Sequence, residues 1–152
     1  MLLYRIADTR HPVWDGTGAF IMGGRFNSPG RMVIYAAQTY SCALLEVLAH
    51  ANIGRLPASQ AYVEASAPEG IAYEKWTADR LPAGWDSSDT KVARTFGDAW
   101  LDERRSAVLL IPSVIARLDF NALVNPFHPD FQQITVSKPQ PVIWDQRLFR
   151  AR

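Results

Sequence analysis

One acidic side chain stands alone within an apolar segment. Glu46 is the only charged residue in SCALLEVLAHA, residues 41–51. The segment predicts a helix over residues 39–52, with Thr39 or Ser41 as its N-cap and Gly54 closing its end. The predicted neighbours on the Glu46 face of this helix are small or polar: Cys42, Ala49 and His50. A carboxylate in this setting lies either on a solvated helix face or at the floor of a cleft, and the spacing alone leaves both open.

Two polar residues with binding chemistry precede this helix. Arg25 lies in Gly-Gly-Arg-Phe-Asn, residues 23–27. The paired glycines permit a tight turn or a close approach to a ligand, and a guanidinium can bind phosphate through two parallel N–H bonds. Tyr35 lies in a β-like run over residues 32–36, where its ring can stack on a flat aromatic group. On type and position alone, a surface arginine in a glycine-rich turn and a tyrosine of the core are the more usual interpretations.

Other familiar site patterns are missing. The glycine-rich segment is followed by no Gly-Lys-Ser/Thr, and Gly16-Thr17-Gly18 lacks the third glycine of a dinucleotide fingerprint. Ser106 opens an apolar run at residues 107–111 and Asn125 precedes a proline, which are also ordinary turn positions. The three histidines have no metal-ligand spacing with one another or with the cysteine, so we expect no metal site.

The elements around these residues predict an α+β fold. Short strands are expected at residues 2–6, 32–36, 60–65, 107–111, 133–137 and 142–144, with a further short strand at 71–74. Helices are expected at 39–52 and 88–104, and a glycine- and proline-rich loop at 10–31. The mixture favours a mixed, strongly curved sheet over a regular parallel one.

Composition bounds the class of protein. The chain has 152 residues, which we interpret as one domain over residues 1–152. A net charge of +1 with dispersed basic residues gives no electrostatic basis for nucleic-acid binding by the chain alone. The single cysteine, Cys42, excludes an internal disulfide. With no secretory signal or membrane span in the sequence, we expect a cytoplasmic protein.

The order and spacing of several segments resemble the RES-domain family. These segments are Leu-Tyr-Arg-Ile near the N-terminus, Gly-Gly-Arg-Phe-Asn, Val-Ile-Tyr-Ala-Ala, Ser-Cys-Ala-Leu-Leu-Glu, Arg-Ser-Ala-Val-Leu-Leu-Ile and Asn-Pro-Phe-His-Pro. Together they cover nearly the whole chain. The family is named for an arginine, a glutamate and a serine, which map to Arg25, Glu46 and Ser106.

The resemblance implies a curved, split mixed sheet similar to the fold of ADP-ribosyltransferase toxins. It also implies a toxin that depletes NAD+ by breaking the nicotinamide–ribose bond, as a glycohydrolase or phosphorylase. The expected catalytic residues are Arg25, Tyr35 and Glu46. The expected NAD+-binding residues are Arg5, Arg25, Arg31, Tyr35, Ser106 and Asn125. No cofactor is expected beyond NAD+ itself, which is the substrate.

The resemblance further implies an antitoxin partner with an Xre-type helix-turn-helix domain that covers the active site. DNA would then be bound only through the complex, within which the toxin can also form a homodimer. Two alternatives stay open. The same site can transfer ADP-ribose to a protein, or the chain can be a non-catalytic nucleotide-binding module.

Overall fold

The fold is a single sheet with helices beside it. The computed structural model describes residues 1–51 and 59–149. The strands are β1 (Leu2–Asp8), β2 (Ile34–Ala37), β3 (Gln60–Ser66), β4 (Tyr73–Lys75), β5 (Val108–Pro112), β6 (Phe120–Val124), β7 (Thr135–Val136) and β8 (Gln140–Pro141). The α-helices are α1 (Thr17–Met22), α2 (Tyr40–His50) and α3 (Lys91–Glu103), and 3-10 helices span Pro129–Gln133 and Gln146–Phe149.

The sheet is mixed and curls into a half-barrel. Its strand order is β4-β5-β6-β2-β1-β3-β7, and β8 pairs with β3. The β4–β5 pair is parallel, whereas the other pairs are antiparallel. The expected α+β fold with a curved mixed sheet is therefore confirmed. In the described part of the chain, no helix is long and apolar enough to cross a membrane.

Strand register divides the central side chains between the two faces of the sheet. Because side chains alternate along a strand, residues that pair across strands share a face. One such row is Tyr35, Leu123 and Leu109, and the next is Ala37, Asn121 and Ile111. The opposite face packs Ala36, Ala122 and Leu110 into an apolar cluster. The two rows face the cleft described below, except for Leu109, which packs in the cluster beneath it.

The sequence did not predict β6, the strand that carries Asn121. The strand has only five residues, and asparagine disfavours strands, so the segment has a weak β pattern. Its formation depends on pairing with β2 and β5 on both sides. The strand predicted at residues 142–144 is also wrong, because the short strand there is Gln140–Pro141.

The predicted helices form, with different ends. The helix expected over residues 39–52 is α2, which Thr39 caps by accepting a hydrogen bond from the backbone N–H of Cys42 at 3.1 Å. The predicted closing residues Asn52 and Gly54 lie outside the described residues. The loop expected over residues 10–31 contains the short helix α1. The helix predicted at 88–104 is α3, which ends where Arg104 adopts a left-handed conformation.

Candidate functional site

A cleft of about 790 Å³ opens beside the central strands. Residues from β1, β2, β5, β6, α2 and the glycine-rich loop line it. Four of the predicted site residues are among them: Arg5, Arg25, Tyr35 and Glu46. The volume lies within the roughly 300–1,000 Å³ typical of sites for small molecules and cofactors. The fold therefore brings together residues that lie up to 41 positions apart in the sequence.

Two side chains hold the carboxylate of Glu46. Its Oε1 accepts hydrogen bonds from Asn121 Nδ2 at 2.6 Å and from Ser113 Oγ at 2.9 Å. Within residues 1–51 and 59–149, Oε2 receives no hydrogen bond. One carboxylate oxygen is thus fixed by the protein, while the other is available to a ligand.

Ser113 donates to Glu46 while its own oxygen accepts from the backbone. Its Oγ accepts hydrogen bonds from the backbone N–H groups of Ile115 at 3.1 Å and Ala116 at 2.9 Å. A hydroxyl has one proton, so these two contacts direct that proton towards the carboxylate. Ser113 is fully buried at the end of β5, which gives the contact a rigid base.

Cys42 lies in the apolar core. Cys42 does share the helix face of Glu46, since both side chains contact Asn121, but the core covers that face at Cys42. The side chain has no exposed surface, and it packs with Ile6, Ala37 and Ala43. Burial is the main reason why the pKa of the Cys42 thiol is raised to about 11. The thiol is therefore protonated at neutral pH, and it donates to Asn121 Oδ1 at 3.4 Å.

Arg25 is held along one side of its guanidinium. Nη1 donates to the backbone oxygens of Ser87 at 2.6 Å and Trp85 at 3.4 Å. In the described ranges, Nε and Nη2 make no hydrogen bond. This is the edge with which Arg31 binds a carboxylate in the same structure, through Nε and Nη2 to Asp102 at 2.9 and 2.8 Å. Arg25 therefore presents a preoriented pair of donors suited to an anion.

Helix α3 fixes the loop that carries Arg25. Arg94 Nε donates to the backbone oxygen of Gly24 at 2.9 Å. Asp98 accepts from the backbone N–H of Ser28 at 2.8 Å and from its hydroxyl at 2.6 Å. Gly97 allows the loop to approach the helix, because a Cβ there would lie 1.9 Å from the backbone oxygen of Phe26.

Tyr35 supports the same loop from the sheet. Its hydroxyl donates to Asn27 Oδ1 at 2.8 Å and accepts from the backbone N–H of Phe26 at 3.0 Å. Burial raises the pKa of this phenol above its ordinary value. A Cβ on Gly24 would lie 2.6 Å from the hydroxyl, so a larger residue there would displace the Tyr35 side chain. The hydroxyl is thus engaged by the protein, while the side chain lines the cleft.

Arg5 joins two segments behind the cleft. Its Nε donates to the backbone oxygen of Val13 and its Nη1 to that of Tyr35, both at 2.6 Å. Burial lowers the pKa of this guanidinium, an effect that the nearby Asp15 carboxylate opposes. A charge buried among carbonyl oxygens contributes positive potential to the cleft it lines.

Comparison with known proteins gives a consistent result. The profile of the RES domain matches residues 2–145. The chain belongs to the RES-domain family. A relative from Sphingobium sp. (strain YBL2), named Prs ADP-ribosylating toxin, is 39% identical over 90% of this chain and 86% of its own. A protein named Toxin Res from Yersinia enterocolitica is 34% identical, over 97% of this chain and 99% of its own.

The fold also matches a solved toxin structure. In the crystal structure of the Mycobacterium tuberculosis MbcT–MbcA toxin–antitoxin complex, one chain superposes with a TM-score of 0.73. The superposition covers 91% of this chain and 82% of that one, at 18% identity. This RES-domain chain therefore shares its curled sheet with a chain of that complex.

Three predicted binding residues lie outside the cleft. Arg31 instead forms the bidentate pair with Asp102 on α3. Ser106 is buried, where its hydroxyl accepts from Trp100 Nε1 at 2.8 Å and donates to the backbone oxygen of Val108 at 3.0 Å. Asn125 is also buried, and the hydrogen bonds of its side chain among the described residues are with backbone atoms, the oxygen of Leu101 and the N–H of Phe127. All three stabilise the scaffold in this structure.

Sequence reasoning missed the serine and the asparagine that contact Glu46. Ser113 and Asn121 take the positions that we expected Ser106 and Asn125 to fill. For the serine, the sequence carried no signal that separates the two candidates, because Ser106 and Ser113 lie at opposite ends of the same apolar run. In this RES domain, the serine that meets the glutamate follows β5 and does not precede it.

Proposed function

We propose that this protein is the toxin of a toxin–antitoxin pair and that its cleft binds NAD+ and breaks the nicotinamide–ribose bond. The observation that carries the proposal is the carboxylate of Glu46, fixed through Oε1 in a cleft that also holds a preoriented arginine. Membership of a family whose relatives are named toxins supports it.

The site is suited to stabilising a positively charged transition state. Breaking a bond at an anomeric carbon develops oxocarbenium character, which a nearby carboxylate stabilises. Glu46 has that role in the proposal. Its hydrogen bonds from Ser113 and Asn121 hold the carboxylate in place before the reaction, so little reorganisation is needed. Nicotinamide leaves as a neutral molecule, which reduces the need for a general acid.

The remaining groups bind the substrate. Arg25 offers its Nε and Nη2 edge to a phosphate or ribose oxygen, and Arg5 adds positive potential. Tyr35 offers ring surface to nicotinamide, since its hydroxyl is already engaged in the loop. Arg25 and Tyr35 therefore bind and orient NAD+, while Glu46 acts at the reacting carbon.

The experiment is NAD+ turnover by purified Glu46→Gln and Arg25→Ala variants, each confirmed folded. We expect Glu46→Gln to lower kcat by at least about 100-fold, since it removes the stabilising charge but keeps the shape. We expect Arg25→Ala mainly to raise KM, because it removes binding contacts. Glu64→Gln, an exposed position on β3, is the matched control. Undiminished turnover by Glu46→Gln would refute the role of Glu46.

A second candidate uses the same bond cleavage with a protein as acceptor. The relative at 39% identity that is named an ADP-ribosylating toxin favours it. Labelled NAD+ incubated with cell extract separates the two. Label on a protein band supports transfer, whereas label found only in small products supports NAD+ depletion by hydrolysis or phosphorolysis.

The proposal includes an antitoxin with an Xre-type domain, which covers the cleft and supplies DNA binding. We place the toxin and this partner in the cytoplasm. The solved toxin–antitoxin complex that shares the fold supports such a partner. Exposed apolar side chains near the cleft, Met22 on α1 and Ile115 after β5, offer surface for it. Co-expression followed by mass measurement tests the partner and a toxin homodimer within the complex. Protection of NAD+ by the partner tests whether it covers the cleft.

A further inference from the structure

Asn121 lies between two residues of α2 that are four positions apart. Residues at this spacing share a helix face, and the Asn121 amide contacts both of them. Its Nδ2 donates to Glu46 Oε1 at 2.6 Å, and its Oδ1 accepts from Cys42 Sγ at 3.4 Å. A buried thiol is thereby connected to the carboxylate of the cleft through one amide.

Register and packing explain how the helix approaches this amide. Asn121 pairs with Ala37 on β2, and Ala37 packs in the same apolar cluster as Cys42. The small side chain of Ala37 leaves room for α2 to pack over the sheet. Cys42 fills the space without reaching solvent. The thiol is therefore confined beside the amide oxygen.

The two neighbours require the same orientation of the amide. A carboxylate only accepts hydrogen bonds, so Glu46 requires the NH2 group on its side. The protonated thiol donates, so it requires the amide oxygen on its own side. A flipped amide would turn its carbonyl oxygen towards the carboxylate and repel it. Without the thiol, only the carboxylate would select between the two orientations.

We propose that Asn121 is a positioning residue that holds the Glu46 carboxylate for catalysis, and that Cys42 fixes the orientation of its amide. This inference rests on the proposed function, in which Glu46 acts on NAD+. Asn121 acts through Glu46, so its loss lowers kcat more than it raises KM. The Cys42 thiol takes no part as a nucleophile.

Turnover of NAD+ by the full chain tests the role of Asn121. Asn121→Leu removes the donor. Asn121→Asp keeps nearly the same side-chain shape but replaces the donating NH2 group with an oxygen. We expect kcat to fall about 10- to 100-fold in Asn121→Leu, the size expected for one hydrogen bond to a charged group. Asn121→Asp should lose at least as much, because two carboxylates then meet. KM should stay within about threefold of the wild type.

Asn125→Ser is the matched control, since Asn125 is buried just beyond the other end of β6 and lies outside the cleft. It should lower stability without changing kcat per folded molecule. A rise in KM with unchanged kcat in Asn121→Leu would overturn the inference, because Asn121 would then bind substrate directly.

Two variants test the role of Cys42. Cys42→Ala removes the donor, and we expect kcat to fall about 3- to 10-fold as the amide loses its preferred orientation. Cys42→Ser retains a donor and should restore kcat to within about threefold. A change that acts only through packing would follow side-chain volume, so both variants would be impaired alike. That result, or unchanged kcat in Cys42→Ala, would overturn the role of the thiol.

A spectroscopic measurement separates this inference from the proposed function. The side-chain amide protons of Asn121 can be followed by NMR in the wild type without any substrate. Their resonances should move in Glu46→Gln, should move or broaden in Cys42→Ala, and should stay near the wild-type position in Cys42→Ser. Resonances unaffected by both Glu46→Gln and Cys42→Ala would refute the connection. Absence of NAD+ cleavage and of protein modification by the wild type would refute the proposed function and leave the NMR result to decide the connection.

Discussion

Gly97→Ala tests whether α3 sets the position of the arginine loop. A Cβ at this position would lie 1.9 Å from the backbone oxygen of Phe26, and no side-chain rotation can relieve a contact between a Cβ and backbone. Restoring an ordinary contact requires a displacement of about 1.5 Å. The residue that must move is adjacent to Arg25, so the clash at the helix is transmitted to the cleft.

Two opposing effects determine the change in stability. Alanine favours a helix over glycine by up to about 1 kcal/mol. Overpacking a tight contact typically costs about 1–3 kcal/mol. Neither the Cβ nor the backbone oxygen of Phe26 can move away by a side-chain rotation. We therefore expect the clash to dominate, with a net loss of about 1–2 kcal/mol in the free energy of unfolding. For a chain of this size, the melting temperature should fall by roughly 2–8 °C.

The assay combines thermal unfolding with NAD+ turnover. A shift of an ångström in a binding group can cost about 100-fold in rate, so activity should fall more than stability does. Gly18→Ala is the matched control for stability, because Gly18 is also helical and a Cβ there meets nothing within 4 Å. It should leave the melting temperature unchanged or raise it. Wild-type stability and turnover in Gly97→Ala would show that α3 does not fix the loop.

Other positions distinguish structural from functional roles. Tyr35→Phe keeps the ring but leaves the backbone N–H of Phe26 without its partner. The free energy of unfolding should therefore fall by about 1–3 kcal/mol, as measured by denaturant titration. Ser106→Ala removes the partner of the buried Trp100 indole and should cost a similar amount, while turnover per folded molecule is unchanged. The carboxyl of Asp8 has its pKa lowered to about 2, chiefly by hydrogen bonding from Arg10. The ionised carboxylate contributes to the free energy of unfolding above the unfolded pKa of about 3.9, and this contribution is lost as pH falls through about 2. Asp8→Asn should therefore be less stable than the wild type at neutral pH and equally stable in acid. Unfolding measured at each pH tests this.

The sequence predicted the local features of the site better than the contacts across the sheet. Glu46 was recognisable because a lone charge in an apolar helix requires a polar environment, and Arg25 because paired glycines bring backbone close to other groups. Both signals lie within a few residues of the side chain concerned. The fold class followed from the mixture of short strands and helices in the same way.

Contacts that depend on topology could not be predicted in the same way. Ser106 and Ser113 flank the same apolar strand, and either suits the family's serine by position alone. Which end of β5 meets the cleft depends on its antiparallel pairing with β6, a strand whose own pattern is weak. Asn121 was missed for the same reason, since its partner Glu46 lies 75 positions away along the chain.

The two chemical groups of the cleft depend on separate parts of the scaffold. The loop of Arg25 is fastened to α3, whereas Glu46 is held by the ends of β5 and β6. Within residues 1–51 and 59–149, the two side chains share no hydrogen-bond partner. Under the proposed function, changes on the α3 side should therefore act on NAD+ binding, and changes on the sheet side should act on the chemical step.

Combining Gly97→Ala with Asn121→Leu tests this separation. The free-energy changes in kcat/KM should add to within about 0.5 kcal/mol, as they do for sites without shared partners. A larger interaction term would mean that the loop and the sheet respond as one unit. The cleft would then be formed only when both sides close together, because independent anchors cannot produce such coupling.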